Sequence, residues 1–378
     1  MTVNICDLQL MVDIRELINN GYENGVGDNQ FNNLALRLFN YQFQSNGPYQ
    51  RYVIRKGVNP DKVESWEEIP AVVSDVFKMT ESPLVSYPVQ QAVKRFITSG
   101  TKDPKRRGIH YLDKEGMDMW YTSVRSTAKR YLFPDVERIR ILALSPDPSN
   151  MPYDMSMATG IGFWTKEFGK ENSDYLAKIS EKGIDVNPQR FVGILKEVEK
   201  TSEPVALIDA TFVRVSFLDQ CKKLGLKFKL PEGSRALDGG GIKNRSREVT
   251  KQEIYSDSQD VLGIPRFNCV NLYGLTEDST QYIDAALRNK SDEPRYKQKL
   301  PWSRVIAVHP ENFERMPKGE KGILRIFDLA NVSSVMSLQT DDLGYEIKDG
   351  FEIVGRADSA QARGCSLEYN EFVIAQSG

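Results

Sequence analysis

Two spacings of apolar residues divide the chain at about residue 90. After that point, short runs rich in β-branched residues alternate with amphipathic stretches, which predicts an α/β architecture with helices against a mixed sheet. From about residue 321, strand and turn signals dominate and predict a small β subregion. Before residue 90, apolar residues recur every three or four positions, which predicts three helices: 7–20, 29–43 and 65–78.

Strand signals after residue 90 are short and regularly separated. Helical spacing between them predicts helices near 114–131, 187–200 and 213–224. A further helix is predicted to begin at Thr250, because Thr250-Lys-Gln-Glu253 fits a capping box. The candidate strands are Val93–Thr98, Arg138–Leu144, Pro204–Ile208, Asn268–Leu272, Arg304–Val308 and Ile323–Phe327.

Composition and charge exclude several classes of protein. The 50 Lys and Arg residues nearly balance the 52 Asp and Glu residues, which argues against non-specific binding to nucleic acid or to an acidic membrane surface. No stretch approaches the roughly 18 consecutive apolar residues of a membrane span, and the N-terminus lacks the basic start of a signal peptide. The four cysteines and two histidines are scattered, which disfavours disulfide scaffolds, zinc sites and His-based triads. We expect a cytoplasmic globular enzyme or binding protein.

A candidate phosphate-binding loop follows the first predicted strand. It combines hydroxyls, a glycine and clustered cations, which can donate hydrogen bonds to phosphate oxygens and neutralise their charge. The Walker pattern does not occur, and an ordinary basic turn remains an alternative. The residues concerned are Thr98, Ser99, Gly100, Thr101 and Lys105.

Three further segments carry candidate chemistry. The triplet Gly239–Gly241 would let the backbone approach a flat ligand, although many such triplets are flexible turns. In Tyr273-Gly274-Leu275-Thr276-Glu277 an aromatic ring precedes a hydroxyl and a carboxylate suited to phosphate and Mg²⁺. In Thr340-Asp341-Asp342 a carboxylate could accept hydrogen bonds from a diol, although an Asp-rich hairpin turn is a common alternative.

Taken in order, these segments resemble the core motifs of the adenylate-forming enzymes, which include acyl-CoA synthetases, nonribosomal adenylation domains and luciferases. The resemblance implies an adenylate-forming α/β core with ATP and Mg²⁺ as cofactors, in which Asp342 binds the ribose and Gly355-Arg356-Ala357-Asp358 is a hinge. It implies Glu277 and Thr101 as ligands of Mg²⁺. The nucleotide-binding residues that it implies are Thr98, Ser99, Gly100, Thr101, Gly239, Gly240, Gly241, Tyr273, Gly274, Thr276, Glu277 and Asp342.

Two runs resemble a narrower family, the acyl-protein synthetases (long-chain-fatty-acid–protein ligases) of bacterial bioluminescence. They are Gly322–Asn331 and Arg363-Gly364-Cys365-Ser366-Leu367. The resemblance implies that a fatty acid is activated as acyl-AMP, transferred to Cys365 and passed to a partner such as an acyl reductase or carrier protein. Cys365 lies beside Arg363 and a glycine, which we expect to activate the thiol and let it swing.

The resemblance also predicts the organisation of the chain. We expect a helical segment over 1–90 packed on the core, the adenylate-forming core over 91–354, and a short C-terminal hinge or tail over 355–378 that carries Cys365. The chain ends at Gly378, so we expect the full lid domain of the larger synthetases, with its catalytic lysine, to be absent. The cations expected to support adenylation instead are Lys105, Arg107 and Arg356.

Two other functions fit the same residues. An adenylate-forming ligase could pass the acyl group directly to CoA, a carrier-protein thiol or an amine. A non-catalytic subunit could bind acyl-adenylate, since the phosphate loop is one residue shorter than in typical synthetases. Cys365 alone could be a small buried hydrophobe, and His110 a surface residue. Residues near Tyr153, Met155, Met157 and Phe163 suit either an acyl pocket or the core.

Overall fold

The computed structural model describes residues 5–98, 106–180, 183–241, 246–357 and 363–377. The chain forms two compact units. The first contains Met1–Ser126, Leu275–Thr280 and Gln298–Gly378, and the second contains Thr127–Gly274 and Gln281–Lys297. This division groups the N-terminal helices with the end of the chain, whereas the regions 1–90, 91–354 and 355–378 follow motif positions and stay a prediction.

The described residues form ten α-helices. None of the helices in these parts of the chain has both the length and the apolar character that crossing a membrane requires. The helices are α1 (Ile5–Asn24), α2 (Asp28–Ser45), α3 (Gly47–Arg55), α4 (Lys114–Tyr131), α5 (Ser156–Phe168), α6 (Pro188–Val198), α7 (Thr211–Lys223), α8 (Lys251–Leu262), α9 (Ala286–Asn289) and α10 (Arg363–Ser377).

Strands occur in both units, and most are short. In chain order, those in the described ranges are β1 (Val72–Val73), β2 (Lys94–Ile97), β3 (Ile109–Leu112), β4 (Arg140–Ala143), β5 (Asp174–Tyr175), β6 (Ala177–Ser180), β7 (Gly183–Val186), β8 (Val205–Ala210), β9 (Arg235–Gly239), β10 (Cys269–Gly274), β11 (Gln281–Ile283), β12 (Lys297–Gln298), β13 (Ser303–Val308), β14 (Gly322–Asp328), β15 (Ser337–Ile347) and β16 (Gly350–Arg356).

An antiparallel sheet organises the first unit. Its strands run in the order β12, β16, β15, β14 and β13, and β1 pairs in parallel with β15. Helix α2 buries Phe31, Leu34, Leu38 and Gln42, which recur every three or four residues as an amphipathic helix requires. The predicted β subregion is confirmed over β14 to β16, but a helix, α10, follows it.

A parallel sheet organises the second unit. Its strands run in the order β11, β10, β9, β8, β4 and β5, and only β11 is antiparallel to its neighbour. Strand β8 is apolar and buried along nearly its whole length, as expected for a strand covered on both faces. Because the strands are parallel, β8, β9 and β10 end at the same edge of the sheet, where Ala210 pairs with Gly239 and Gly239 with Leu272.

The α/β class and all six candidate strands are confirmed, with bounds that shift by a few residues. The helix predicted over 65–78 is wrong. That stretch contains two 3₁₀ turns, Trp66–Glu68 and Ser74–Lys78, on either side of β1. Pro70 interrupts it, because proline has no N–H for an internal helical hydrogen bond. Helices α3, α5, α9 and α10 were not predicted.

The start of α8 gives a test of the capping prediction. Thr250 Oγ1 accepts a hydrogen bond of 3.2 Å from the backbone N–H of Glu253. We expect Thr250→Ala to lower the free energy of unfolding by about 1 kcal/mol in urea titrations, because that N–H loses its acceptor. The control Thr250→Ser keeps the acceptor and should unfold close to the original chain. An equal loss in both variants would contradict the assignment.

Candidate functional site

The glycine triplet lies where β9 ends in the second unit. Gly240 has a φ of +75°, a conformation that favours glycine over every other residue. The hydroxyl of Thr211, at the start of α7, lies 2.7 Å from the carbonyl oxygen of Gly240 and 2.6 Å from Asp238 Oδ2. The turn is therefore held by a hydroxyl that follows the neighbouring strand, and sequence reasoning missed this residue.

A buried polar network supports the same edge of the parallel sheet. Arg214 donates from Nε to Asp209 Oδ2 over 2.8 Å, and both side chains are buried. Asn271 Nδ2 donates to Asp238 Oδ2 over 3.0 Å, and Lys297 Nζ donates to the Asn271 carbonyl over 2.6 Å. These groups come from separate strands and loops, so their sequence spacing gave no signal.

One of the four residues predicted near an acyl pocket lies against the triplet. A Cβ placed on Gly239 would come within 2.7 Å of Met157 Cε, so the glycine leaves room for this methionine of α5. Tyr153, Met155 and Phe163 are half-buried, as is Met157. The acyl-pocket assignment stays a prediction.

The Tyr273–Glu277 segment passes from the second unit to the first. Tyr273 and Gly274 end β10 in the second unit, where the Tyr273 ring centroid lies 6.2 Å from that of Tyr282. Thr276 and Glu277 belong to the first unit, and Glu277 is only 9% exposed.

Glu277 is a buried carboxyl whose pKa is affected by nearby charged residues. Burial raises the pKa of Glu277 to about 7, while the positive charges of Arg356 and Lys78 lower it. A buried carboxyl of this kind could bind a cation, since cation binding would offset the desolvation of its charged form. No group of three or more His, Cys, Asp or Glu residues in the described ranges is arranged to hold a metal ion by itself.

His110 is buried and not at the surface, contrary to the sequence-based expectation. It is 1% exposed, and Nδ1 lies 2.9 Å from the carbonyl oxygen of Thr276. Burial lowers the pKa of His110 to about 4, so the ring is neutral at pH 7 and donates from Nδ1–H. The ring of Phe77 packs against it edge-on, with centroids 5.8 Å apart. His110 therefore helps to fix the backbone next to Glu277.

The candidate phosphate loop joins the two strands of the β2–β3 hairpin. At its base the N–H of Thr98 donates to the carbonyl of Gly108 over 3.0 Å, and the N–H of Gly108 donates to Thr98 Oγ1 over 2.9 Å. The remaining predicted residues of this loop lie outside the described residues: Ser99, Gly100, Thr101 and Lys105. Their roles stay predictions.

Asp342 and Arg356 face each other on neighbouring antiparallel strands. They are paired in the β15–β16 register, with Arg356 Nε 3.9 Å from Asp342 Oδ1. The Arg356 side chain is 52% exposed and that of Asp342 is 16% exposed. The N–H of Asp342 donates to Thr340 Oγ1 over 3.0 Å. The predicted ribose ligand and one predicted catalytic cation are therefore adjacent.

Cys365 lies on a docked helix and not on a flexible turn. It is the third residue of α10 and is 6% exposed, with Sγ 3.8 Å from the carbonyl oxygen of Thr340. The expected mobile tail is corrected to a helix because Cys365, Phe372 and Ala375 recur at spacings that bury one helical face. The side chain of Arg363 lies outside the described residues, so its predicted effect on the thiol stays a prediction.

Polar contacts attach α10 to α3 along its length. The hydroxyl of Tyr52 and the ammonium of Lys56 both contact the carboxylate of Glu368, the latter over 2.7 Å. Arg55 pairs with Glu371 over 2.7 Å. The ring of Tyr52 also lies against Phe372, with centroids 5.3 Å apart.

Arg325 of β14 is a further cation near Cys365 that sequence reasoning missed. It donates from Nε to Gln339 Oε1 over 2.8 Å and lies over the ring of Phe313, 5.3 Å from the centroid. Burial lowers the pKa of Arg325, and the opposing interactions come from Tyr52, Glu368 and Cys365. Arg325 lies within Gly322–Asn331, one of the two segments that resemble the acyl-protein synthetases, and this position could have identified it from the sequence.

Comparisons with known proteins agree on one family and one fold. The family model described as acyl-protein synthetase, LuxE, matches residues 8–374. The long-chain-fatty-acid–luciferin-component ligase of Aliivibrio fischeri is 22% identical over 350 residues, covering 88% of this chain and 86% of the relative. The protein of the same name from Vibrio harveyi is 20% identical over 364 residues, covering 91% and 88%.

Solved structures with a similar fold include 2-hydroxyisobutyryl-CoA ligase. Its open conformation, in complex with 2-HIB-AMP and CoA, matches with a TM-score of 0.66 and 11% identity, covering 88% of this chain and 70% of that one. Its postadenylation state, in complex with 2-HIB-AMP, matches with a TM-score of 0.64 and 11% identity, covering 87% and 67%. The chain thus shares its α/β fold with this CoA ligase.

The buried His110 predicts a specific dependence of stability on pH. Its pKa is about 4 in the folded chain and about 6.5 when unfolded, so the unfolded chain binds one more proton between these values. The contribution of the neutral His110 ring to the free energy of unfolding is therefore fully present above about pH 6.5. It falls by up to roughly 3 kcal/mol as the pH decreases towards 4. We expect His110→Gln to remove this part of the slope in urea titrations from pH 4.5 to 7.5. An unchanged slope would contradict the burial of the ring.

Proposed function

We propose that this chain, which belongs to the LuxE family of acyl-protein synthetases, activates a fatty acid with ATP and carries the acyl group on Cys365 to a partner protein. Family membership makes the chain an acid–thiol ligase of the adenylate-forming type. The fatty nature of the acid is supported by the two relatives described as long-chain-fatty-acid–luciferin-component ligases. A carrier protein or an acyl reductase is the proposed acceptor.

The observation that carries the proposal is the arrangement around Thr340 in the first unit. The Cys365 thiol lies 3.8 Å from the Thr340 carbonyl, and the proposed ribose ligand Asp342 is two residues further along β15. An acyl group joined as a mixed anhydride to the phosphate of a nucleotide whose ribose is bound by Asp342 would therefore lie in the neighbourhood of this thiol. This proximity favours capture of the acyl group by the chain itself over direct release to CoA or an amine.

We assign each part of the nucleotide to residues of the motifs found in the sequence. Tyr273 offers a ring face for the base, and the Gly239–Gly241 turn offers close backbone approach. Asp342 can accept hydrogen bonds from both ribose hydroxyls. The phosphates are assigned to Thr98, Ser99, Gly100, Thr101, Gly274 and Thr276.

Magnesium fits the donor set of the first unit. Glu277 provides a carboxylate whose burial disfavours a bare negative charge, and Mg²⁺ prefers oxygen ligands while keeping several waters and substrate phosphates. Glu277, together with Thr101, would hold the ion. When bound it would neutralise charge on the phosphates.

The acid is activated by attack of its carboxylate oxygen on the α-phosphorus of ATP. The bond to the β-phosphate oxygen breaks, pyrophosphate leaves, and a mixed acyl–phosphate anhydride forms. The protein contributes by positioning the reactants and stabilising charge. Arg356, Lys105 and Arg107 are the proposed cations for this step. The acyl chain is assigned to the half-buried apolar residues near Met157.

The thiolate of Cys365 then attacks the acyl carbon, and AMP leaves with the bonding electrons. Two features of the first unit act in favour of the thiolate, against the burial of the sulfur and its hydrogen bond to the Thr340 carbonyl, which favour the neutral thiol. Cys365 lies in the first turn of α10, where the helix dipole stabilises negative charge, and the guanidinium of Arg325 interacts with it electrostatically. Delivery to a partner would require α10 to leave α3, which breaks exposed ion pairs of little stability and also exposes the buried ring of Phe372.

The two steps predict separable defects in a Cys365 variant. With ATP, Mg²⁺ and a panel of acids, we expect the original chain to gain an acyl mass adduct that hydroxylamine removes. Cys365→Ala should lose the adduct and keep acid-dependent exchange of pyrophosphate into ATP, because exchange reports adenylation alone. The control Cys221→Ala removes a buried thiol of the second unit and should keep the adduct.

Two outcomes of that experiment would support the other functions. Full turnover to CoA by Cys365→Ala would favour direct transfer. Absence of acid-dependent exchange in the original chain would favour a non-catalytic binding subunit. An adduct that maps to another residue would contradict the assignment of Cys365.

Arg325 predicts a defect confined to the second step. We expect Arg325→Gln to slow single-turnover transfer from acyl-AMP to Cys365, because the sulfur loses its electrostatic interaction with the guanidinium, while pyrophosphate exchange is unchanged. The pH at which iodoacetamide alkylates Cys365 at half its maximal rate should also rise. Arg55→Gln, which removes a surface ion pair of α10, is the control, and an equal shift in both variants would contradict a specific role for Arg325.

A further inference from the structure

Two consecutive backbone carbonyls beside the proposed metal ligand are held by buried side chains. His110 donates to the carbonyl of Thr276 over 2.9 Å, and Asn331 Nδ2 donates to the carbonyl of Glu277 over 3.0 Å. Both side chains are 1% exposed. They come from different parts of the first unit, since His110 is on β3 and Asn331 follows β14. The peptide groups around Glu277 are thus fixed from two directions.

Several contacts orient the amide of Asn331, whose side chain also interacts with the ring of His110. Nδ2 donates both to Glu277 and, over 2.9 Å, to the carbonyl of Val335, while Oδ1 accepts from the hydroxyl of Ser279 over 3.1 Å. An asparagine amide has two N–H donors, and both are used here. A side chain without these donors would leave two carbonyls without their partner.

Neighbouring contacts hold Asn331 itself in place. Its backbone carbonyl accepts from Gln42 Nε2 of α2 over 2.8 Å. Three residues earlier, Asp328 Oδ1 accepts from the Thr280 hydroxyl over 2.9 Å and from the N–H of Ala330 over 2.9 Å. The turn after β14 therefore contacts the Glu277–Thr280 segment at both ends.

We propose that Asn331 is a positioning residue that holds Glu277 in the geometry needed to bind Mg²⁺ with the phosphates of ATP. The inference rests on the role proposed for Glu277 under the function above. The proposal gives a role to a second residue of the segment Gly322–Asn331, in which only Arg325 takes part in the proposed reaction steps. Residues that orient a metal ligand typically change metal affinity or activity by about 10–100-fold when substituted.

Asn331→Asp is the informative variant. It keeps the size of the side chain and the acceptor for Ser279 but replaces the two N–H donors by an oxygen. We expect calorimetry with the unreactive analogue α,β-methylene-ATP to show about 10–100-fold weaker binding in the presence of Mg²⁺. Binding of the analogue without Mg²⁺ should change by less than about twofold, because Asn331 acts through the metal ligand.

Asn46 provides a matched control. It is a buried asparagine of the same unit whose Nδ2 donates to Ser334 of the same turn over 3.2 Å, while its Oδ1 accepts from Tyr49 at the start of α3. Asn46→Asp keeps that acceptor and loses the donor to the turn. We expect it to lower stability without changing the Mg²⁺-dependent part of nucleotide binding.

A double variant separates positioning from general destabilisation. If Asn331 acts through Glu277, Asn331→Asp combined with Glu277→Gln should bind Mg²⁺-nucleotide no more weakly than Glu277→Gln alone. Additive losses, or a loss that is equal with and without Mg²⁺, would overturn the inference. If Asn331→Asp does not fold, Asn331→Ser, which keeps one donor, takes its place, with the same expectations.

Failure of the proposed function gives a different result. If the original chain shows no acid-dependent pyrophosphate exchange, acid activation is wrong, and the binding measurements still test positioning. If Glu277→Gln leaves Mg²⁺-dependent binding unchanged while exchange persists, acid activation stands, and both the metal assignment and this inference are overturned.

Discussion

The turn from Asp328 to Met336 between β14 and β15 removes its backbone carbonyls from water, and the first unit depends on supplying them with donors. A buried carbonyl without a partner costs about 1–3 kcal/mol, so such a turn is stable only with dedicated side chains around it. Gln42 of α2 supplies one donor, Asn46 between α2 and α3 supplies a second, and the backbone N–H of Ser86 supplies a third. This need explains why N-terminal helices belong to the same compact unit as the last strands of the chain.

Strand β15 serves the two proposed chemical steps at once. Asp342, assigned to the ribose, and Thr340, whose carbonyl contacts the Cys365 thiol, are two residues apart on this strand. Thr340 is itself held by a hydrogen bond from Oγ1 to the carbonyl of Leu324 over 2.7 Å. In the proposed reaction, the central strand β15 would hold the ribose ligand of the acyl-AMP close to the acceptor thiol. A mobile tail, as expected from the sequence, would not fix this distance.

Local patterns predicted the elements whose stability is local. Helix α4 begins and ends at the predicted residues, and Thr250 caps α8 as expected. The motif residues could be predicted because their side-chain types occur in a characteristic order along the chain. The features that could not be predicted depend on contacts between residues far apart in the sequence. The hydrogen-bond partner of the buried His110 is a carbonyl 166 residues away. Asn331 resembles an ordinary loop asparagine in the sequence, where its hydrogen-bond partners cannot be identified. Helix α10 was missed because only its docking on α3 makes its narrow apolar face meaningful.

The docking of α10 also bears on how long the enzyme survives in the presence of oxidants. A thiol activated by a cation and a helix dipole is attacked readily by peroxide once exposed, and oxidation beyond the sulfenic acid is irreversible for most proteins. With α10 docked, Cys365 is 6% exposed, so the helix shields the sulfur from oxidants. Ion pairs such as Arg55 with Glu371 are screened by salt, so the polar part of this shield weakens as ionic strength rises, while the buried face with Phe372 and Ala375 is not screened.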